Sequence, residues 1–323
     1  MRCAGGRLGW IVAARIGAAG AGVGIVAGAA GTAHAGPLAA IAPAATDDAR
    51  RAIVVGTGGE VYEPDGKGAW VHRLPSTTAE PVVAAGRAGE VVVAIGDGVV
   101  YRLAGNGWSA IRLVQHGKAI LGAGRALAAV GRQVFVLDQL TKGEPTRLVT
   151  APANVVAISA GAKAAIIATD AAAFRLETGG TKPGKLVALP GAPRHLRLVS
   201  DRWAITDRGA LELPAGKLTR WPTGLAIGVA ATTADEALVA IGSTHAGLEL
   251  VTLRAGTLAR DPLGVTLAPG VTAVGLVADR GGRAVVALSD GRLALRDKAG
   301  WTTTEVSDAA AAEHPGAGPA SSP

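Results

Sequence analysis

Between Ala52 and Val306 the apolar residues of this chain recur in short runs, and the glycines and polar residues that interrupt them recur as well. One copy reads EVVVAIG-DG-VVYRLAGNG-WSAIRLV from Glu90 to Val114, and another reads RAVVALS-DG-RLALRDKAG-WTTTEV from Arg283 to Val306. The runs are rich in Val and Ile, alternate with a period of two and are bounded by Gly, Asp and Asn. This is the pattern of β-strands joined by tight turns, not of amphipathic helices. One run in each copy is almost continuously apolar, as in VVVAI at 91–95, ALVAI at 237–241 and AVVAL at 284–288. That predicts a strand buried on both faces.

The residue that opens the second strand of each hairpin marks the repeat: Gly58, Gly98, Arg132, Ala171, Gly209, Gly247 and Gly291. The intervals are 40, 34, 39, 38, 38 and 44 residues, about 39 on average. Helical repeats of similar length do not carry a period of two. Each copy divides into four runs. In the Glu90 copy these are 81–86, 90–95, 98–104 and 108–114, and in the last they are 271–278, 283–289, 291–297 and 301–306. The expected fold is therefore all-β: a single seven-bladed β-propeller of four-stranded antiparallel blades over 51–306. Ring closure would cover both faces of every sheet. Residues 36–50 are rich in Ala and Pro and read as a linker or, over 38–44, as a weak first strand. Residues 307–323 have the composition of a disordered tail.

Carried by this repeat over about four fifths of the chain, the pattern resembles the broad group of seven-bladed propellers that includes WD-repeat, YVTN and quinoprotein-like proteins. The likeness is at the level of fold. No copy has the Trp-Asp ending or Gly-His opening of a strict WD repeat, and none has the Asp-box of sialidase-type propellers.

The start of the chain has a different composition. Arg2, Arg7 and Arg15 flank or enter an apolar stretch at 16–31, and Ala33-His34-Ala35 is a small-x-small cleavage site. Residues 1–35 read as a cleavable signal peptide, too short and too glycine-rich to remain as a stable membrane span. Cys3, the single cysteine, precedes the apolar run and would be lost with it. The processed chain would then have no disulfide and no thiolate chemistry. Loss of the three arginines lowers the formal net charge from +7 to +4. The basic residues are scattered singly, which reads as a solvated surface and not as a nucleic-acid site. The expected compartment is periplasmic or extracellular, and the expected state a monomer.

Few residues stand out chemically. Asp97-Gly98 and Asp290-Gly291 supply the positive φ that two-residue hairpins need, and Asp207-Arg208-Gly209 and Asp170-Ala171 occupy the same place. Trp70, Trp108 and Trp301 each follow shortly after the marker at the start of the fourth run and read as packing between blades. Arg194, His195 and Arg197 fall where other copies have an apolar innermost strand. Cations there would make an anion-attracting spot on the channel. The candidate ligand-binding set is therefore Arg194, His195, Arg197, Asp207, His245 and Asp97. No catalytic constellation is evident. The dispersed His72, His116, His195, His245 and His314 form no metal motif, and no cofactor is implied. These features point to an exported, non-enzymatic scaffold that binds a protein or an envelope polymer. The alternative is a propeller lyase, hydrolase or quinone-dependent dehydrogenase with its site at the channel mouth.

Overall fold

The computed structural model describes residues 37–44, 46–74, 78–88, 91–105, 107–113, 120–121, 123–124, 127–136, 146–160, 165–177, 184–189, 192, 196–200, 202–213 and 215–310. The signal peptide reading therefore lies outside the described residues.

Seven sheets follow one another along the chain, each built from the innermost strand outwards. Blade 1 contains β1 (Leu38–Ala42), β2 (Ile53–Gly56), β3 (Val61–Pro64) and β4 (Trp70–Leu74). Blade 2 contains β5 (Ala84–Ala88), β6 (Val91–Ile95), β7 (Val99–Ala104) and β8 (Gly107–Arg112). In blade 3 the inner strand is broken into β9 (Ile120–Leu121) and β10 (Ala123–Gly124), followed by β11 (Leu127–Val130), β12 (Gln133–Val136) and β13 (Thr146–Thr150). Blade 4 runs through β14 (Val155–Ala160), β15 (Ala165–Thr169), β16 (Ala173–Glu177) and β17 (Lys185–Ala188). Blade 5, the most compressed in sequence, has the short strands β18 (Arg197–Leu198), β19 (Trp203–Ile205), β20 (Gly209–Glu212) and β21 (Lys217–Arg220). Blade 6 has β22 (Ala226–Thr232), β23 (Leu238–Thr244), β24 (Gly247–Arg254) and β25 (Thr257–Pro262). Blade 7 has β26 (Ala273–Ala278), β27 (Ala284–Leu288), β28 (Arg292–Asp297) and β29 (Gly300–Glu305), and a last strand, β30 (Ser307–Ala310), follows it.

Within each blade the successive strands pair antiparallel, so the all-β, seven-bladed architecture expected from the repeat is the one observed. The continuously apolar second strands explain how the ring closes. Their side chains alternate between the two faces of the sheet. In β6, Val93 and Ile95 join Ala128, Val130 and Phe135 of blade 3, while Val92 and Ala94 join Val55, Val61 and Leu74 of blade 1. In β27, Val285 and Ala287 face blade 1, whereas Ala284, Val286 and Leu288 face blade 6. One apolar cluster fills each seam between neighbours, including the seam from blade 7 back to blade 1.

Two strands depart from the four-strand plan. β10 leaves blade 3 and pairs parallel with β14, Ala123 beside Ser159. β30 adds to the outer edge of blade 1, parallel to β4, with Ser307 beside Val71. This corrects the reading of 307–323 as disordered over residues 307–310. The composition is poor for a strand, but β4 offers an unpaired edge within reach of the chain leaving blade 7, and strand edges recruit backbone. The ambiguous stretch at 38–44 resolves as the strand β1, whose apolar side chains are buried because blade 7 and blade 2 enclose it.

Charged residues join the same seam. The turn before the short 3-10 helix Ala49–Arg51 carries Asp47 and Asp48. Arg280 of blade 7 pairs with Asp47 at 2.7 Å, and Arg50 pairs with Asp297 at 3.2 Å. Asp279, buried between the blades, accepts from Arg283 Nε at 2.7 Å and from the Ala49 amide at 3.3 Å. Among the described residues no helix is long and apolar enough to cross a membrane.

Candidate binding face

Because every blade starts at its inner strand, the turns joining second to third strands all lie at one end of the ring, its upper end. Asp97, Asp170, Asp207, His245 and Asp290 occupy these turns in blades 2, 4, 5, 6 and 7, and all are exposed. Their local chemistry serves the turn itself. Gly98 and Gly291 have φ of 66° and 90°. In blades 4 to 6 a threonine closes the turn. Thr169 Oγ1 accepts from the amides of Ala171 and Ala172 at 3.3 and 3.0 Å. Thr206 does the same for Arg208 and Gly209 at 3.2 and 3.0 Å, and Thr244 for Ala246 at 3.2 Å. The threonine before Asp170, Asp207 and His245 is the recurring sequence signal that the Asp-Gly reading missed, and its hydroxyl acts as an ST-turn.

Arg197 lies on β18 opposite Ile205, next to the upper turn of blade 5. Its guanidinium crosses to the inner strand of blade 6, donating from Nη2 to Ile227 O at 2.6 Å and from Nη1 to Gly228 O at 3.0 Å. Those carbonyls are available because β22 bulges between Ile227 and Val229, which leaves Gly228 outside the ladder. Equivalent bulges open the inner strands of blades 1, 4 and 7. Among the described residues the Arg197 side chain thus meets carbonyl oxygens and no carboxylate, and desolvation lowers its pKa from the ordinary guanidinium value. Arg87, on the inner strand of blade 2, likewise donates from Nε to a carbonyl, that of Pro43, at 2.9 Å.

The structure therefore brings Arg197, Asp207 and His245 to the upper end of the adjacent blades 5 and 6. Asp97 sits in blade 2, across the ring from them. Arg194 and His195 lie outside the described residues. Among the described residues, no three His, Cys, Asp or Glu side chains converge as a metal site needs.

The tryptophans are engaged in the seams. Trp108 and Trp301 both turn to the preceding blade, Nε1 donating to Gly59 O at 2.7 Å and to Asp261 Oδ2 at 3.2 Å. Trp70 is fully buried against blade 7 and donates to Ala52 O at 3.0 Å. Trp203 donates across the next seam to Glu236 O at 2.8 Å, with Arg202 stacked over its ring. Arg202 also holds Glu212 at 2.7 Å and pairs with Glu236 of blade 6. Trp221 donates to Thr206 O at 3.3 Å, so every indole N–H among the described residues is engaged within the ring.

No family model matches the chain, and no curated protein matches it. Solved structures do. YCF48 from Cyanidioschyzon merolae aligns with 81% of this chain and 95% of its own at 18% identity and a TM-score of 0.57. The WD40 β-propeller domain of Doa1 aligns over 82% and 95% at 14% identity with the same TM-score. PorZ, a bacterial surface component of the type-IX secretion system of Porphyromonas gingivalis, aligns over 85% of this chain and 38% of its own at 12% identity, TM-score 0.55. The likeness is one of fold alone. It places the chain at fold level with the seven-bladed propellers, WD40 structures among them.

Proposed function

We propose that this protein is an exported, non-enzymatic propeller scaffold that binds a partner protein in the cell envelope or outside the cell. The observation that carries the reading is the use to which the recurring side chains are put. The threonines and glycines build turns, the tryptophans and several arginines tie blades together, and Arg197 is spent on backbone carbonyls. What remains is a rigid ring with short loops, and function on such a frame resides in its surface. The arginine-rich leader supports export. Two chains of similar fold, PorZ of a secretion system and one from a structure of the mitotic checkpoint complex, belong to assemblies, which supports the reading. Cross-linking of the full chain in an envelope extract, followed by mass spectrometry, should give a discrete cross-linked species. A protein that stays uncrosslinked under all conditions and turns over a small molecule would overturn the reading.

A further inference from the structure

The cations of this ring are not distributed like its anions. Residues 115–222, which span blades 3 to 5, contain 15 Lys and Arg against 7 Asp and Glu. The outer strands, which form the rim, show the consequence. In blades 6 and 1 the rim arginines are neutralised: Arg260 by Glu249 at 2.7 Å and Arg73 by Glu63. The rim strand of blade 7 carries no cation. In blades 2 to 5 the rim carries Arg112, Arg147, Lys185, Lys217 and Arg220, all exposed and, among the described residues, none in an ion pair. Lys217 stands opposite Glu212 in the ladder, but that carboxylate is held by Arg202, and Lys185 does not close a pair with Glu177 opposite it. The same stretch of rim exposes two aliphatic side chains, Val187 at 37% and Leu218 at 41%.

Lysines on edge strands ordinarily guard against edge-to-edge pairing. Among the described residues that need is equal in the six blades whose outer edge no further strand covers, blades 6 and 7 included, so it does not explain why bare cations run unbroken through blades 2 to 5 and stop. We infer that the rim of blades 2 to 5 is the docking surface for an acidic, extended polypeptide segment of a partner protein, and this rests on the scaffold reading above. A belt around four of seven blades follows a convex arc. A flat lipid surface meets only a small part of such an arc, whereas a flexible chain can follow it. Exposed aliphatics and free strand edges suit a polypeptide better than a sugar or nucleic acid, which would call for open aromatic rings. The chain already shows the mode on itself, since β30 adds to the outer edge of blade 1.

The test is fluorescence anisotropy of the full chain with a labelled peptide of alternating Glu and Val. The wild type should bind, with affinity falling about tenfold or more between 50 and 500 mM salt as rim charges are screened. The combined variant R112E/R147E/K185E/K217E/R220E should lose binding by at least about 30-fold. The milder K185E/K217E should lose part of it, and K67E/K298E, which reverses exposed cations outside the belt, should bind as wild type. Circular dichroism confirms that the variants remain folded. Equal binding by the five-fold variant, or binding to phosphatidylglycerol vesicles in place of the peptide, overturns the inference. A partner cross-linked equally by wild type and the five-fold variant would remove the belt and leave the scaffold reading standing.

Discussion

The Trp301 indole and the Asp261 carboxylate meet across the seam between blades 6 and 7, Nε1 to Oδ2, at 3.2 Å. The same carboxylate oxygen accepts from Arg296 Nε at 2.6 Å. One acidic side chain on an outer strand thus holds two donors from the following blade. Asp261→Ala should strand both donors and lower stability by about 1–2 kcal/mol, the partial exposure of the site moderating the loss. Trp301→Phe should cost less, because Arg296 keeps its partner. Urea midpoints of the two variants check the order.

Asp279 makes the sharper case. It is buried, and its oxygens take the Arg283 amide at 3.0 Å, Arg283 Nε at 2.7 Å and the Ala49 amide of blade 1. Asp279→Ala leaves Arg283 Nε and the buried Ala49 amide without their acceptor, the guanidinium keeping only Asp48 at 3.4 Å, so a loss of about 2–3 kcal/mol is expected. Asp279→Asn should recover part of it. Equilibrium unfolding should show the alanine variant as the weaker of the two.

Gly275 lies where blade 7 presses on blade 1. A β-carbon there would stand 2.5 Å from Ile41 Cγ2 and 3.0 Å from the Ile41 amide nitrogen. Gly275→Ala should wedge β26 away from β1 at a cost of about 1–3 kcal/mol. Thermal denaturation should show a lower midpoint, and Ile41→Ala, which removes the Cγ2 in the way, should cost less in the Gly275→Ala chain than in the wild type.

Asp65 caps the turn between β3 and β4, accepting from the Lys67 amide at 2.7 Å and the Ala69 amide at 3.1 Å. The Lys67 hydrogen bond is the largest influence holding its pKa below the ordinary carboxylate value. A depressed folded-state pKa means that its contribution to stability is present above the unfolded value, about 3.9, and is lost as pH falls through the folded one. Carbon-detected NMR titration should find Asp65 still ionised at a pH where free aspartate is half protonated. Asp65→Asn should remove its share of the acid dependence.

Much of the architecture was legible in the sequence because a repeat states it seven times. The second strands, buried on both faces, were visible as unbroken apolar runs. The tail strand was not legible, since Ser307–Ala310 acquires its conformation from an edge more than two hundred residues away in sequence. Arg197 was singled out by its register on an inner strand. Its carbonyl partners were hidden, because a bulge at Gly228 leaves no local signal in the sequence. The rim belt escaped for a different reason. Arg112, Arg147, Lys185 and Lys217 are spaced by a blade each, and charges that far apart look scattered until the ring brings them onto one arc.

Blade 1 receives its inner strand from residues 38–42 and its outermost strand from residues 307–310. The first blade to be synthesised is therefore the last to be completed. Until the final strands arrive, Leu38, Ile41, Val54 and Trp70 have no blade 7 to cover them. A nascent or truncated chain would be an open arc with an adhesive apolar face at each end, and such a species would be inclined to find the seam of another copy before its own.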